Sequence, residues 1–187
     1  MPAETFPYTI DDATLKKAKQ VRLLALDVDG VLTNGNLYFS AGGESMKEFS
    51  ILDGLGIKLL HGIGVQTAII TGRLSGMVSK RMKELGISLV LQGREDKLTA
   101  LQELQASTGI PMEESGYVGD DLPDLAAIQS CQFGVAVANA HPIVKSGADW
   151  VCTNSGGKGA VREVADVILY AQGRYPEIIE HYSLKPL

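Results

Sequence analysis

The sequence predicts an α/β protein with an open parallel sheet and helices on both faces. Short apolar runs alternate with amphipathic stretches along most of the 187 residues. Strands that are separated by single helices pair in parallel through right-handed crossovers. The length and a composition of 45% hydrophobic and 21% charged residues suit one globular domain over residues 1–187. Ligands of such a sheet bind beyond the carboxyl ends of its strands.

The alternation begins with the segment 21–27, whose four consecutive apolar residues at 23–26 are typical of a buried strand. Before it, the basic cluster at 16–19 predicts the solvated face of an N-terminal helix. After it, a helix that ends in glycine is predicted at 54–64. The remaining elements, in order, are strand 65–72, helix 75–86, strand 87–93, helix 97–108, strand 115–121, helix 122–130, strand 132–139, helix 141–147, strand 148–153 and helix 158–173.

Residues 34–54 break this alternation. Two short alternating runs, 36–39 and 45–49, flank an Ala-Gly-Gly turn and predict a β-hairpin inserted after the first strand. Its outward apolar side chains, which would be exposed in a monomer, are Leu37, Phe39 and Met46. We therefore expect the hairpin to pack against another subunit. The alternative is that the hairpin folds down on its own sheet.

Charge and cysteine usage exclude several classes of protein. A net charge of -5 argues against nucleic acid as a partner, because phosphate neutralisation needs clustered Lys and Arg. Cys131 and Cys152 lack the spacing of a zinc site or a disulfide framework, which favours a reducing cytoplasm. No signal peptide and no membrane-spanning apolar stretch can be recognised. We therefore expect a cytoplasmic protein that is not embedded in a membrane.

Two carboxylates follow the first strand. Asp27 and Asp29 stand in a DVDG sequence, where Gly30 permits a turn that could bring both side chains over one pocket. Two like charges at one place suggest a bound cation. On its own the motif is ambiguous, since calcium loops and plain turns contain it too.

Further polar residues stand at the ends of later predicted strands and should converge on the same edge of the sheet. They are Thr71 and Gly72, Lys97, and the acidic residues Asp120, Asp121 and Asp124. Each by itself could be a helix cap or a surface charge. Together, a hydroxyl, a lysine and acidic clusters are what a phosphoryl-transfer site with a hard divalent cation needs.

The segments DVDGV, ITGR, Lys97 and GDDLPD resemble, in order and position, the four motifs of the haloacid dehalogenase superfamily. The resemblance spans about residues 21–170 and implies the Rossmann-like sheet of that superfamily. It makes Asp27 a nucleophile that forms an aspartyl-phosphate, and Asp29 the acid that protonates the leaving group and then activates water.

The same resemblance implies that Mg²⁺ is held by Asp27, the backbone carbonyl of Asp29, and Asp120. Phosphate would then be bound by Thr71, Gly72 and Lys97. It also implies that Asp121 and Asp124 orient metal-bound water or Lys97, although a solvated helix start stays open for Asp121.

The spacing of the motifs leaves no room for a cap domain. Only the hairpin separates Gly30 from Thr71, and only one helix and one strand separate Thr71 from Lys97. A phosphomutase needs a cap to keep its phosphoryl group from water, so the sequence favours a phosphatase with an open site. A macromolecular substrate, or a small one enclosed by a neighbouring subunit, would suit such a site.

The hairpin, Arg81 after ITGR and the stretch NSGGKGAVREV closely resemble the bacterial phosphatases of 3-deoxy-D-manno-octulosonate 8-phosphate. This implies removal of the 8-phosphate of a small sugar-acid phosphate in lipopolysaccharide precursor synthesis, by a homotetramer joined through the hairpins. It also implies that Arg73 and Arg81 line a pocket for the sugar acid and that the tail, 174–187, covers a neighbour's site.

Several alternatives stay open. Arg81 could belong to an exposed helix face, and the tail with Lys185 could be disordered. The glycines of 156–159 lack the spacing of a P-loop and suggest a flexible start of a helix. The substrate could be a nine-carbon sugar-acid phosphate or a phosphoprotein, and the fold could serve as a non-catalytic scaffold.

Overall fold

The computed structural model describes residues 6–183. Along the chain its helices and strands are α1 (Asp12–Lys19), β1 (Leu23–Leu26), β2 (Tyr38–Ser40), β3 (Gly43–Met46), α2 (Ile51–Gly62), β4 (Gln66–Thr71), α3 (Gly76–Leu85), β5 (Leu89–Gln92), α4 (Lys97–Thr108), β6 (Ser115–Gly119), α5 (Leu125–Ser130), β7 (Phe133–Ala136), α6 (Pro142–Gly147), β8 (Trp150–Val151), α7 (Ala160–Ala171) and α8 (Tyr175–Tyr182). Two 3₁₀ helices, Met112–Glu114 and Leu122–Asp124, flank β6. None of the helices in this part of the chain is long and apolar enough to cross a bilayer.

Within residues 6–183 the main sheet has six parallel strands in the order β5-β4-β1-β6-β7-β8. All four residues of β1 are buried, as expected for a central strand that is covered on both faces. The chain moves from β1 toward β5 and then returns to the other side of β1. The direction of winding therefore reverses beside β1, which is where an open parallel sheet binds its ligands.

Two layers of helices cover the sheet. α7 packs against α1 and α2, whereas α4 packs against α5, and both groups contact strands. The reversal of winding places the crossovers before and after β5 on opposite faces. α7 is strongly amphipathic and buries Val164, Ile168 and Leu169 completely.

The helix and strand bounds differ from the predictions at ends that have a local cause. α2 begins at Ile51 because the Ser50 hydroxyl accepts a hydrogen bond from the Leu52 backbone N–H at 3.2 Å and caps the helix. The predicted strands 21–27 and 115–121 end at Leu26 and Gly119, just before the loops that carry Asp29 and Asp121.

The predicted tail contains a helix that the sequence did not indicate. In α8, Tyr175 packs edge-on against Phe6 and Tyr170, with ring centroids 5.3 and 6.5 Å apart. Phe6 stands at the other end of the chain, so its contact with Tyr175 could not be predicted from the local sequence. Residues 184–187, including Lys185, lie outside the described residues.

The predicted hairpin is present, although its second strand begins earlier than expected. β2 and β3 form an antiparallel pair that is separate from the main sheet, with a register shift after Tyr38. The predicted exposure of its apolar side chains is confirmed, at 44% for Leu37, 63% for Phe39 and 50% for Met46.

Candidate active site

A cavity of about 780 Å³ lies at the carboxyl ends of β1, β4 and β6. The predicted site residues line it, with the exception of Arg81. They converge because the carboxyl ends of parallel strands meet at one edge of the sheet.

Asp27 lies at the floor of this cavity. Its backbone N–H donates to the Val118 carbonyl at 3.1 Å, which fixes the end of β1 against β6. The residue is 8% exposed, and one carboxylate oxygen lies 2.8 Å from Nζ of Lys97. Burial, helped by the nearby Asp124 carboxylate and opposed by Lys97, raises the pKa of Asp27 to about 6. Asp27 is therefore a carboxylate held beside a cation in a largely dry setting.

Lys97 is the cation that faces Asp27. It opens α4, whose start is fixed by a hydrogen bond from the Thr99 N–H to the Asp96 carboxylate at 3.1 Å. Its buried Nζ donates to the Ile70 carbonyl at 3.0 Å and lies 3.3 Å from Asp124. Burial alone would lower the pKa of Lys97, but the carboxylates of Asp27 and Asp124 outweigh it and raise the pKa. The lysine thus stays charged.

Asp124 shapes the loop after β6. One of its oxygens accepts the backbone N–H groups of Asp120 and Asp121 at 3.0 and 3.3 Å. The other accepts the buried Tyr117 hydroxyl at 2.7 Å and faces Lys97. With both oxygens engaged, Asp124 orients its neighbours. Asp121 is exposed and accepts the Leu122 N–H at 2.8 Å, so it caps the 3₁₀ helix.

The acidic side chains provide a donor set for a hard cation. One oxygen each of Asp27, Asp120 and Asp124 lies within 4.8 Å of the others. Burial and the carboxylates of Asp124, Asp27 and Asp121 raise the pKa of Asp120 to about 7, against the effect of Lys97. Negative charge is thus in excess over Lys97, and oxygen donors suit Mg²⁺. The residues therefore fit the predicted ion.

Gly30 is required by the close approach of the loop that follows Asp27. Its φ is 104°, and a Cβ atom there would lie 2.0 Å from a carboxylate oxygen of Asp120. Only glycine tolerates both this backbone conformation and this contact.

Asp29, Thr71, Gly72 and Arg73 complete the wall. The Asp29 side chain is 19% exposed, pairs with Lys47 of the hairpin and lies 3.8 Å from Nε of Arg73. Thr71 is the buried last residue of β4, and Arg73 is 42% exposed in its side chain at the mouth. The DVD motif therefore delivers its second aspartate to the same cavity as the first.

The loop at 153–157 packs behind the loop that follows Asp27. The Gly157 N–H donates to the Val31 carbonyl at 2.8 Å, and a Cβ atom on Gly156 would lie 1.6 Å from the Gly30 carbonyl oxygen. The buried Glu163 holds this loop by accepting four hydrogen bonds, each at 2.8 or 2.9 Å, from the backbone and side chains of Thr153 and Asn154. The prediction of a flexible helix start at 156–159 is therefore wrong, because Gly156 and Gly157 are tightly packed against the loop that follows Asp27.

Comparison with known proteins identifies the family. A model of haloacid dehalogenase-like hydrolases matches residues 89–164. The chain is 43% identical over 159 residues to the 3-deoxy-D-manno-octulosonate 8-phosphate phosphatase of Haemophilus influenzae, covering 85% of this chain and 88% of that protein. It is 44% identical over 163 residues to the phosphatase of the same name from Escherichia coli K12, covering 87% of each. The chain belongs to the haloacid dehalogenase-like hydrolase family.

Solved structures place the hydrolase in the same group. It matches the 3-deoxy-D-manno-octulosonate 8-phosphate phosphatase of Moraxella catarrhalis, in complex with magnesium, phosphate and KDO, with a TM-score of 0.91 at 43% identity over 93% of this chain and 100% of that chain. The cobalt-bound Haemophilus influenzae phosphatase gives a TM-score of 0.84 at 42% identity over 86% of this chain and 94% of that chain. The predicted family and fold class, with no cap domain in the described residues, are confirmed.

Arg81 stands apart from the other predicted site residues of this haloacid dehalogenase-like hydrolase. It lies on α3 in a separate groove beside the hairpin, 3.5 Å from Glu84, and a Cβ atom on Gly54 would lie 2.6 Å from its Nη2. Within one subunit it does not reach the cavity that holds Asp27.

Sequence reasoning missed three contributors to the site. Lys47 and Tyr117 contact Asp29 and Asp124 through tertiary packing, without a motif of their own. Gly156 was visible as part of a glycine-rich stretch, but that stretch gave no hint that it packs on Gly30.

Proposed function

We propose that this hydrolase removes the phosphate from 3-deoxy-D-manno-octulosonate 8-phosphate, a precursor in lipopolysaccharide synthesis. The observation that carries the proposal is the pairing of Asp27 with Lys97 in the cavity that also holds Asp29, Thr71 and Asp120. The substrate named for the Haemophilus influenzae and Moraxella catarrhalis proteins supplies the finer assignment.

The reaction proceeds in two displacements at phosphorus. An oxygen of the Asp27 carboxylate attacks, the bond between phosphorus and the sugar oxygen breaks, and Asp29 gives its proton to that departing oxygen. Water then attacks the aspartyl-phosphate while Asp29 takes back a proton. Inorganic phosphate leaves and the Asp27 carboxylate is restored.

The remaining residues offset charge and hold the phosphoryl group. Lys97 faces Asp27 from the buried side, and the Thr71 hydroxyl and the Gly72 backbone N–H stand at the cavity wall to donate hydrogen bonds to phosphoryl oxygens. Asp27, Asp120 and the backbone carbonyl of Asp29 would hold Mg²⁺. When bound, the ion supplies positive charge that lets an anionic nucleophile approach a phosphate dianion. Asp124 orients Lys97, and Asp121 caps the loop that carries Asp120.

Arg73 is the residue we propose to recognise the sugar acid. Its side chain is 42% exposed at the cavity mouth, and a guanidinium can bind a carboxylate through two parallel hydrogen bonds. The 8-phosphate would then enter toward Asp27 while the carboxylate end stays near the mouth.

A homotetramer joined through the hairpin would enclose this open site, and we include it in the proposal. Leu37, Phe39 and Met46 are exposed on the hairpin, and a group of exposed large apolar side chains on one short element is typical of a protein–protein contact. Light scattering after size exclusion tests the assembly. The wild type should elute with the mass of a tetramer, and the Phe39→Ser variant should dissociate into smaller species. The two free thiols, Cys131 and Cys152, suit the reducing cytoplasm, where we place the enzyme.

The function is tested by phosphate release from a panel of substrates. The panel comprises the octulosonate 8-phosphate, a nine-carbon sugar-acid phosphate and a phosphopeptide, each with Mg²⁺, Mn²⁺, Co²⁺ or chelator. We expect the octulosonate phosphate to dominate, and the activity to vanish with chelator or with Asp27→Asn. The matched control is Glu113→Gln, which changes an exposed carboxylate remote from the cavity. A preference for another substrate would reassign the specificity, and a folded wild type that hydrolyses none of them would refute the enzyme assignment.

A further inference from the structure

The hairpin places a buried lysine behind Asp29. Lys47 directly follows β3, and its side chain is only 1% exposed. Its Nζ donates to one carboxylate oxygen of Asp29 and lies 3.1 Å from an oxygen of Glu44. A lysine is rarely so buried without ionic partners, so these two carboxylates explain its position.

A second cation faces the other oxygen of Asp29. Nε of Arg73 lies 3.8 Å from that oxygen, and Nη2 of Arg73 lies 3.6 Å from Glu44. Glu44 is itself fixed by the Ser75 hydroxyl, which donates to it at 3.0 Å. Asp29, Lys47, Glu44 and Arg73 therefore form a closed ring in which positive and negative groups alternate. In this ring each oxygen of Asp29 has a cation on its own side, so the rotation of the carboxylate is restricted.

Lys47 differs from the other cations of the site because it does not line the cavity. Lys97 lies against Asp27, and Arg73 stands at the mouth, but Lys47 approaches Asp29 from the hairpin side. Any effect of Lys47 on the reaction must therefore pass through Asp29. Catalytic groups need such support, because a small misplacement of a proton donor reduces the rate strongly.

From this ring we infer that Lys47 is a positioning residue that fixes the carboxylate of Asp29 for proton transfer to the departing sugar oxygen. The inference rests on the proposed function. It gives the hairpin a part in the chemistry of its own subunit, in addition to any part in assembly. Its effect should depend on the leaving group, since a sugar alkoxide needs a proton as it departs and p-nitrophenolate does not.

The test measures kcat/KM, which reports the steps up to formation of the aspartyl-phosphate, for a sugar phosphate and for p-nitrophenyl phosphate. We expect Lys47→Met to lower kcat/KM for the sugar phosphate by about 10-fold or more, since general acid catalysis contributes about 10²–10⁴-fold. The value for p-nitrophenyl phosphate should change much less. Lys158→Met is the matched control. Lys158 also pairs with a glutamate of the hairpin segment 34–54, Glu48, at 2.8 Å, but this lysine is exposed and does not contact Asp29. It should behave as the wild type on both substrates.

A double-mutant cycle separates positioning from a purely structural role. If Lys47 acts through Asp29, adding Lys47→Met to Asp29→Asn should lower the sugar phosphate activity no further. Multiplied losses, or equal losses on both substrates, would overturn the inference.

A charge-matched variant guards against misfolding. Lys47→Met alone leaves Glu44 and Asp29 without the cation between them. The double variant Lys47→Met with Glu44→Gln removes one positive and one negative charge and so keeps the net charge of the ring. It should unfold near the wild-type temperature yet keep the leaving-group defect, and normal sugar phosphate activity in this folded variant would also overturn the inference. Failure of the proposed function is distinguishable, because it would appear as a wild type inactive on the octulosonate phosphate.

Discussion

Replacing Asp120 with asparagine should stabilise the metal-free fold above neutral pH while it abolishes phosphatase activity. Burial and the surrounding carboxylates raise the pKa of Asp120 from 3.8 to about 7. Each pKa unit corresponds to about 1.4 kcal/mol, so the full shift corresponds to roughly 4 kcal/mol. Asp27 shares the same repulsion, and Asp120 is partly solvated, so we expect the substitution to recover about 2 kcal/mol.

The sign follows from the direction of the shift. The folded pKa of Asp120 lies above its ordinary value, so its contribution to stability is fully present below the ordinary value and is lost as the pH rises through about 7. In chelator the free energy of unfolding of the wild type should therefore fall between about pH 4 and pH 8, and that of Asp120→Asn should fall less. A gain of about 2 kcal/mol corresponds to about 4–8 °C in Tm for a domain of this size.

Urea unfolding in chelator at about pH 5 and pH 8 measures the effect, since the gain should appear only where Asp120 ionises. Mg²⁺ should raise the stability of the wild type and have little effect on Asp120→Asn. Glu113→Gln, at an exposed site, should match the wild type at both pH values. A variant less stable than the wild type at the higher pH, or a difference that is the same at both, would refute the reasoning.

Three other substitutions probe the supports of the site. Gly156→Ala places a Cβ atom 1.6 Å from the Gly30 carbonyl oxygen and should displace the loop that follows Asp27. We expect kcat to fall and the free energy of unfolding to drop by about 1–3 kcal/mol, and unchanged kinetics would contradict the close packing. Glu163→Gln replaces an acceptor oxygen with an amide donor that faces the N–H donors of Asn154. Urea unfolding should show a loss of about 1–3 kcal/mol in the free energy of unfolding, and no change would mean that Glu163 does not hold the loop at 153–157. Tyr117→Phe removes the hydrogen bond to Asp124 and should cost about 1 kcal/mol by the same measurement, without the larger loss that a cavity would cause.

The sheet and most of the site could be predicted because both depend on local patterns. Apolar runs identified the strands, and helix 97–108 was predicted with its observed bounds, Lys97–Thr108. Once the strands are parallel, residues that directly follow them must share an edge, so Asp27, Thr71 and Asp120 could be brought together without coordinates.

The missed features depend on contacts between distant parts of the chain. Lys47 and Asp29 are 18 residues apart and meet only because the hairpin folds back over the end of β1. The stacking of Phe6 on Tyr170, at 4.0 Å between ring centroids, contributes to the aromatic cluster that includes Tyr175 of α8, although the two residues lie at opposite ends of the chain. A hydrophobic period or a motif describes neighbours in sequence, so neither can predict such contacts.

The hairpin has features suited to two roles, contact with another subunit and support of Asp29. It presents exposed apolar side chains, Phe39 and Met46, while it holds Lys47, which is paired with Glu44, against Asp29. Burial of these apolar side chains in a subunit contact would immobilise the hairpin, and an immobile hairpin would fix Lys47 and therefore Asp29, the proposed proton donor. Assembly and catalysis are then coupled through one short element. For this reason loss of kcat in a Phe39→Ser variant would not by itself mean that a neighbouring subunit supplies a residue to the cavity.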